Sequence, residues 1–335
     1  MRYKNIFIVA VIVLVVASAG FLLAKNNGIE IGRGNMTELE GMSWSSSDLS
    51  GEKCEKAKTR PVAVMISGDV ETRPLSGIGE ADLVFEMPVM DNGVTRLMAV
   101  FQCRQPSEIG SVRSARTDFI PWVQGLGAVY AHWGGERDAL KKLNSGIVDN
   151  IDAMKYDGIY YYRKTKQRPP HNGFTSFDLV NQANIKLGYN LEKSIVAYQH
   201  EESEKRKAKS EKQDLEIAEP PSIYEGDFAV QWKYQPASNT YRRWRGGKEE
   251  IDLNTSKQVE TSNVVLLKTT WSPVSKDYIN VKTIGSGEAV IYKNGEAVNG
   301  SWEKRGAADR LTFYDSTGQE IKFVVGKIWI ETLIK

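Results

Sequence analysis

An uncharged apolar run near the N-terminus constrains this chain more than any other feature. The run extends from Ile6 to Ala24, contains no charged side chain and follows Arg2 and Lys4. A helix of this length, at about 1.5 Å per residue, measures roughly 28 Å, which is close to the hydrocarbon thickness of a bilayer. Positive charge before such a span keeps that end in the cytoplasm. We therefore predict a single-pass signal-anchor in residues 1–24, with residues 6–24 in the membrane and the remaining chain extracytoplasmic.

A cleaved signal peptide is the alternative interpretation of this run. Ala17, Ser18 and Ala19 fit a small-residue cleavage site. Either interpretation places the folded part outside the cytoplasm, where Cys54 and Cys103 could form a disulfide or remain as two thiols. Neither cysteine directly follows the apolar run, so the sequence lacks a lipid-attachment cysteine there.

Composition shifts divide the rest of the chain into four regions. Residues 25–56 are rich in Gly, Ser, Asn and charge and predict a flexible tether. Residues 57–198 mix apolar strand and helix patterns, whereas residues 222–335 alternate with a period of two and contain turn signals such as Asn294-Gly295. Residues 199–221 are almost wholly polar and predict a linker. The predicted fold class is α+β, with a mixed α/β-layer domain followed by a small antiparallel β domain.

The charge balance excludes nucleic acid as the main partner. The formal net charge is +2, and basic residues are interleaved with acidic ones. Binding to a phosphate backbone requires a basic stripe. No cluster of Cys and His with zinc-ligand spacing occurs, so we predict no metal and no cofactor.

The stretch "IGSVRSAR" is the first candidate for ligand binding. If Ser114 begins a helix, the free backbone N–H groups of the first turn favour an anion there. Arg113 and Arg116 could add bidentate donors for carboxylate or phosphate. Alternatively, Ser114 is only a cap, and the arginines pair with acids such as Glu86 or Asp118.

Two histidines mark further candidate positions. "VYAHWGG" places His132 at the end of a predicted strand, before Gly134 and Gly135, which allow a sharp turn or close approach to a ligand. "RPPHNGF" places His171 and Asn172 after two prolines, on a rigid loop. Alternatively, the His132 ring forms a hydrogen bond with a backbone carbonyl and has no ligand role, and "RPPHNGF" is a plain turn.

Arg96 lies within the strand-like run "VTRLMAVF". Because side chains alternate along a strand, Arg96 shares a side with Val94, Met98 and Val100. A charge on such a side must be paired or lie at an edge. A pair with Glu86 in the neighbouring strand and a role in ligand binding are both open.

An ordered set of motifs resembles a known bacterial family. "RPVAVMIS", "EADLVFE", "GVTRLMAVFQ", "IGSVRSAR", "HWGG" and "PHNGF" resemble the N-terminal domain of the YerB-like lipoprotein family. "NVVLLK", "GSGEAVIYKNGE", "GSW", "RLTFYDSTGQEI" and "GKIWI" resemble its C-terminal domain. The resemblance implies a two-domain envelope protein outside the membrane, in a family classed by domains of unknown function, and supplies no reaction. The missing lipid-attachment cysteine departs from the lipoprotein pattern and favours a spanning helix.

These observations lead to one preferred function and two alternatives. We expect binding of an anionic envelope ligand, such as a peptidoglycan or wall-polymer fragment. One alternative is a hydrolase or transferase that acts on wall material with His132 or His171 as general base, with Glu86 as a further candidate catalytic residue. The other is a non-catalytic scaffold that binds an envelope protein. The predicted ligand-binding residues are Arg96, Arg113, Ser114, Arg116, His132, Gly134, Gly135, His171 and Asn172.

Overall fold

Alternating apolar residues build a ten-stranded mixed sheet that contains strands from both halves of the chain. In the computed structural model, residues 44–90, 93–192, 197–203, 217–275 and 278–335 are described. The strands, in chain order, are β1 (Ser45–Ser46), β2 (Lys53–Cys54), β3 (Val62–Ser67), β4 (Leu83–Pro88), β5 (Thr95–Phe101), β6 (Ile109–Gly110), β7 (Val129–His132), β8 (Asn150–Asp152), β9 (Tyr162–Arg163), β10 (Gly173–Thr175), β11 (His200–Glu201), β12 (Val230–Gln235), β13 (Thr240–Arg245), β14 (Lys248–Glu249), β15 (Glu260–Thr261), β16 (Asn263–Thr269), β17 (Trp271–Ser275), β18 (Tyr278–Val281), β19 (Gly285–Lys293), β20 (Glu296–Lys304), β21 (Thr312–Asp315), β22 (Phe323–Val324) and β23 (Ile328–Ile334). The helices are α1 (Ile120–Gly125), α2 (Arg137–Asn144), α3 (Ala153–Tyr156) and α4 (Phe177–Leu187).

The C-terminal strand joins the two halves of the sheet. The strand order is β21-β20-β19-β16-β23-β4-β5-β3-β7-β8. Strand β23 runs parallel to both neighbours, and Ile328 lies opposite Leu83 while Glu331 lies opposite Glu86. The nearly continuous apolar run "IWI" suits a strand that is buried on both faces. The second half is therefore not purely antiparallel, and residues 44–335 form one compact unit.

The two faces of the sheet are covered by different layers. Along β3, Met65 points to one face, called face 1, and Val64 points to the other, called face 2. Face 1 packs against helices α1 and α2, which contribute residues such as Trp122. Face 2 packs against the four-stranded sheet of β12 to β15, which contributes Trp232. Full burial of each such apolar side chain contributes about 1.5–3 kcal/mol.

Part of the predicted tether and part of the predicted linker are folded. In residues 44–56, β1 pairs with β2, and Leu49 is completely buried. A disulfide joins Cys54 to Cys103. In the predicted linker, β11 pairs in parallel with β22. In residues 44–56 the polar composition predicted a tether, although Leu49 within it belongs to the hydrophobic core on face 1.

The predicted membrane anchor lies outside the described residues, as do residues 25–43 of the predicted tether and residues 204–216 of the predicted linker. Among the residues that the structure does describe, no helix is both long and apolar enough to cross a bilayer.

The helix that was predicted to begin at Ser114 begins later. Arg116 has an extended backbone, a 3-10 turn spans Thr117–Phe119, and α1 follows with Pro121 in its first turn. Proline is favoured in the first turn of a helix because it lacks a backbone N–H, and an N–H at that position would have no hydrogen-bond partner within the helix. The backbone N–H of Thr117 donates to the Glu136 carboxylate at 2.6 Å. The predicted anion site at a helix start is therefore wrong, because Ser114 lies outside the helix and Glu136 binds the Thr117 N–H.

Candidate anion-binding site

A cavity of about 1060 Å³ lies on face 1, beside the first residues of β5. Both halves of the chain contribute to its lining, because the β17–β18 hairpin forms one wall. Five of the predicted residues line the cavity together, namely Arg96, Arg113, Ser114, Arg116 and Gly135. The cavity therefore brings the three predicted arginines to one place.

Backbone hydrogen bonds hold the "SVRSAR" segment in position. The Arg113 N–H donates to the Met65 carbonyl at 2.9 Å, and the Trp133 N–H donates to the Arg113 carbonyl at 3.0 Å. The Ala115 N–H donates to the Gly134 carbonyl at 2.9 Å. The segment is thus held between the end of β3 and the loop after β7. A Cβ at Gly135 would lie 3.1 Å from the Ala115 carbonyl oxygen, which explains a glycine at that close approach.

Arg96 is the least compensated buried charge in the cavity. Its side chain is 5% exposed, and its Nε and Nη1 have no hydrogen-bond partner among the described residues. The nearest acid is Asp69, whose Oδ2 lies 3.9 Å from Nη1. Burial, and then the charge of Arg113, lower the pKa of Arg96 from 12.5 to about 9. Keeping Arg96 charged in the folded protein therefore lowers the free energy of unfolding.

Asp69 is shared between two arginines and a histidine. Its Oδ2 accepts hydrogen bonds from Ser67 Oγ at 2.6 Å and from Arg113 Nη2 at 3.1 Å, and it lies 3.8 Å from His171 Nδ1. Burial would raise the pKa of Asp69, but the Ser67 hydroxyl, Arg96 and Arg113 outweigh burial and lower it. A single carboxylate thus faces several cationic partners, and positive charge remains available for a ligand.

The hairpin from the second half of the chain is attached to the arginine side of the cavity. The Arg116 guanidinium lies 4.6 Å from the centre of the Tyr278 ring, within cation–π range. The Asp118 carboxylate accepts a hydrogen bond from the Val281 N–H at 2.8 Å. Burial, and the charge of Glu136, raise the pKa of Asp118 to about 7. Asp118 lines the cavity, so its charge there changes near neutral pH.

His132 does not contribute to the cavity. Its side chain is completely buried, and its Nδ1 contacts the Gly134 carbonyl at 2.8 Å while Nε2 contacts Asn150 Oδ1 at 3.2 Å. Burial lowers the pKa of His132. The interpretation of His132 and Gly134 as ligand residues is therefore wrong, because the following turn and β8 enclose the ring.

The double-proline loop contributes through its backbone. The Pro170 carbonyl accepts a hydrogen bond from Arg113 Nη1 at 3.1 Å, and Pro170 lines the cavity. His171 lies beside Asp69 and is 21% exposed. Asn172 is buried and accepts a hydrogen bond from Arg163 Nη1 at 3.1 Å, so it supports the loop instead of lining the cavity.

Glu86 lies on face 2 and is remote from this arrangement of arginines. Because Leu97, not Arg96, is directly opposite Glu86, the Glu86 and Arg96 side chains point to opposite faces. Glu86 is completely buried and contacts Arg243 at 2.5 Å and Arg245 at 2.7 Å. The predicted Glu86–Arg96 pair and the supporting catalytic role of Glu86 are therefore wrong.

The buried charges on face 2 form a compensated network. Arg243 also contacts Glu331 at 3.3 Å and forms an ion pair with Glu250. Burial would raise the pKa of Glu86, but Arg245 and Arg243 lower it. Burial, and the charge of Glu86, raise the pKa of Glu331 to about 8. Every arginine of this network has a close carboxylate partner, unlike Arg96.

Comparisons with known proteins agree with this architecture. Residues 49–190 match the N-terminal domain, and residues 222–330 the C-terminal domain, of a family described as "Protein of unknown function (DUF3048)". The chain belongs to this family. It is similar to the Bacillus subtilis (strain 168) protein named "Putative lipoprotein YerB", with 27% identity over 285 residues that cover 84% of each chain. The crystal structure of YerB protein from Bacillus subtilis matches with a TM-score of 0.75 and 25% identity, covering 86% of this chain and 96% of that one.

The resemblance to the YerB-like family is thus confirmed.

Several residues in or beside the cavity of this protein carried no clear signal in the sequence. Asp69 does not line the cavity but contacts two of its arginines; it directly follows "VMISG" at the end of β3, and a strand end followed by an acid could have indicated it. Lys141 and Lys142 also line the cavity, and two adjacent lysines on a helix are common at protein surfaces. Tyr278 lies more than 160 residues after Arg113, and only the three-dimensional fold brings it to the cavity.

Proposed function

We propose that this protein is a membrane-associated, extracytoplasmic binding protein whose cavity takes an anionic envelope ligand, such as a peptidoglycan or wall-polymer fragment. The observation that supports it is Arg96, a buried cavity-lining arginine with two nitrogens that lack hydrogen-bond partners within the described structure. An unpaired buried charge is costly, and an oxyanion would supply both the missing hydrogen bonds and the missing charge.

The proposed location is supported by three observations. The first is the uncharged run of residues 6–24. The second is the Cys54–Cys103 disulfide, since disulfides persist mainly in oxidising compartments. The third is similarity to a protein that is named as a lipoprotein.

Binding of anionic wall fragments by the full-length protein in mild detergent tests this function. Isothermal titration calorimetry would use two probes, a glycerol phosphate oligomer and a muropeptide mixture. We expect at least one probe to bind, and Arg96→Met to weaken that binding at least tenfold. Arg242→Met is the matched control, because Arg242 is exposed on β13 in the layer that covers face 2. Failure of both probes to bind, or equal binding by Arg96→Met, would contradict the proposal.

Hydrolysis of the same material is a second candidate, favoured by one observation. Asp118 lines the cavity with a pKa of about 7, which suits a general base or acid near neutral pH. His132 is buried, so His171 and Asp118 are the remaining candidates for this role. Mass spectrometry of the recovered wall fragments would detect turnover. Products that disappear in Asp118→Asn or His171→Ala variants would favour an enzyme, and unchanged fragments would favour binding alone.

A further inference from the structure

The charge of the cavity exceeds what a single monoanion would neutralise. Six cationic and three acidic side chains line it. Arg96 and Arg113 lie beside Asp69, and Arg116 lies 4.0 Å from Glu136. Helix α2 adds the exposed residues Arg137, Lys141 and Lys142. Neither lysine forms an ion pair with any described residue, whereas Arg137 lies 3.7 Å from Asp138. The cavity therefore has a buried cationic part and a separate, solvated cationic part.

The donors in the buried part outnumber the acceptor positions of one carboxylate. Arg96 Nε and Nη1, Arg113 Nε and Arg116 Nε lack hydrogen-bond partners in the described part of the chain. Each of these three guanidinium groups carries about five N–H donors, and a carboxylate offers about four lone-pair positions. Phosphate groups have more acceptor oxygens and suit the planar guanidinium group, so phosphate fits this part better.

The size and the second wall of the cavity indicate a ligand that extends beyond one phosphate. A volume of about 1060 Å³ slightly exceeds the usual range of roughly 300–1,000 Å³ for pockets that enclose a small molecule. The hairpin wall presents Val274, which is 66% exposed, and Tyr278, which is 40% exposed. These groups can contact the uncharged carbon part of a ligand between its anionic groups.

We infer that the cavity recognises a chain of at least two phosphate groups, as in a polyol-phosphate or sugar-phosphate polymer. One phosphate binds Arg96, Arg113 and Arg116, and a second binds Lys141 and Lys142 on α2. This inference rests on the proposed function, because it names the ligand class for the same cavity. It separates phosphate-rich polymers from peptidoglycan fragments, whose anionic groups are carboxylates.

Calorimetry of the full-length protein with ligands of increasing length tests the inference. The probes are glycerol 3-phosphate, a synthetic three-unit glycerol phosphate oligomer, and a peptide with two carboxylates. We expect the oligomer to bind at least tenfold more tightly than glycerol 3-phosphate or the peptide. The double substitution Lys141→Gln and Lys142→Gln should remove most of that advantage and change the affinity for glycerol 3-phosphate less than twofold.

A matched double substitution controls for overall charge. Lys155 and Lys186 are exposed on α3 and α4, and neither lines the cavity. Lys155→Gln with Lys186→Gln should leave the affinities within twofold of the wild type. The inference is overturned if the oligomer binds no more tightly than glycerol 3-phosphate or the peptide, or if both double variants lose the same affinity. The proposed function itself fails in a different way, if Arg96→Met retains binding or if no probe binds.

Discussion

Replacement of Arg96 by methionine should stabilise the unliganded protein while it weakens anion binding. Arg96 keeps its charge at neutral pH although its pKa falls from 12.5 to about 9 in the folded protein. At 1.36 kcal/mol per pKa unit, this shift corresponds to an unfavourable term of about 5 kcal/mol. This value already includes the attraction to Asp69, so only the packing lost with the smaller side chain, about 3 kcal/mol, is subtracted from it. We expect a net gain of about 2 kcal/mol in the free energy of unfolding.

Urea unfolding at pH 7, followed by tryptophan fluorescence, measures this gain. A stabilisation of 2 kcal/mol corresponds to a rise in Tm of about 3 °C for a unit that spans residues 44–335. Below its folded-state pKa, Arg96 is charged in both the folded and the unfolded protein. The difference between the variant and the wild type should therefore be the same at pH 6 and pH 8. It should narrow above about pH 9, where folded Arg96 loses its proton.

Addition of an anion tests the second part of this prediction, which is that Arg96→Met weakens anion binding. Sulfate, or any phosphate probe that binds, should raise the Tm of the wild type by mass action and leave Arg96→Met nearly unchanged. Arg242→Met should behave like the wild type with the probe and gain no stability. If Arg96→Met is less stable than the wild type by more than about 1 kcal/mol and still responds to the anion, then the charge is not under-compensated and the reasoning is wrong.

Three further predictions concern other charges and the disulfide. Glu86→Gln should lower the free energy of unfolding by about 3–5 kcal/mol, because it leaves buried arginines under-paired. Glu331→Gln should change it by less than about 1 kcal/mol below pH 7, because Glu331, with its pKa of about 8, is already neutral there. Urea unfolding compares the two variants. Because the pKa of Asp118 is raised to about 7 in the folded protein, its contribution to the free energy of unfolding should fall as the pH rises from about 4 to 7. Sulfate affinity should fall between about pH 6 and 8, because Asp118 then becomes negatively charged. Asp118→Asn should flatten both pH profiles. Loss of the bond between Cys54 and Cys103 through double serine substitution should cost about 2–4 kcal/mol by urea unfolding, and an unchanged midpoint would contradict a stabilising role.

The alternation of residues along the sequence correctly predicted strand β5 and the face of the sheet on which Arg96 lies. Arg96 shares face 1 with Met98 and Val100, as the period of two requires. The partner of Arg96 was wrong, because sequence does not give the register between two strands. A shift of one residue moves a side chain to the opposite face, and Glu86 lies opposite Leu97.

Distant contacts account for the other errors in the predicted site. His132 was placed correctly at a strand end, but Asn150, which contacts its ring, comes from the next strand of the sheet. Strand β23 crosses into the first half of the sheet, and no local pattern specifies such a parallel pairing. The Tyr278 wall depends on the same long-range packing, since Arg116 and Tyr278 meet only in the folded protein.

The two arginine clusters of this protein together argue for a ligand at one of them. On face 2, Arg243 is completely buried and has contacts with Glu86, Glu250 and Glu331. The fold can therefore compensate a buried guanidinium with the carboxylates of Glu86 and Glu250. On face 1, Arg96 is buried to a similar extent, yet its nearest acid is 3.9 Å away and already binds a second arginine. The chain compensates the buried guanidinium on face 2 and leaves Arg96 under-compensated beside a large cavity on face 1, and this contrast supports the proposal of an anionic ligand.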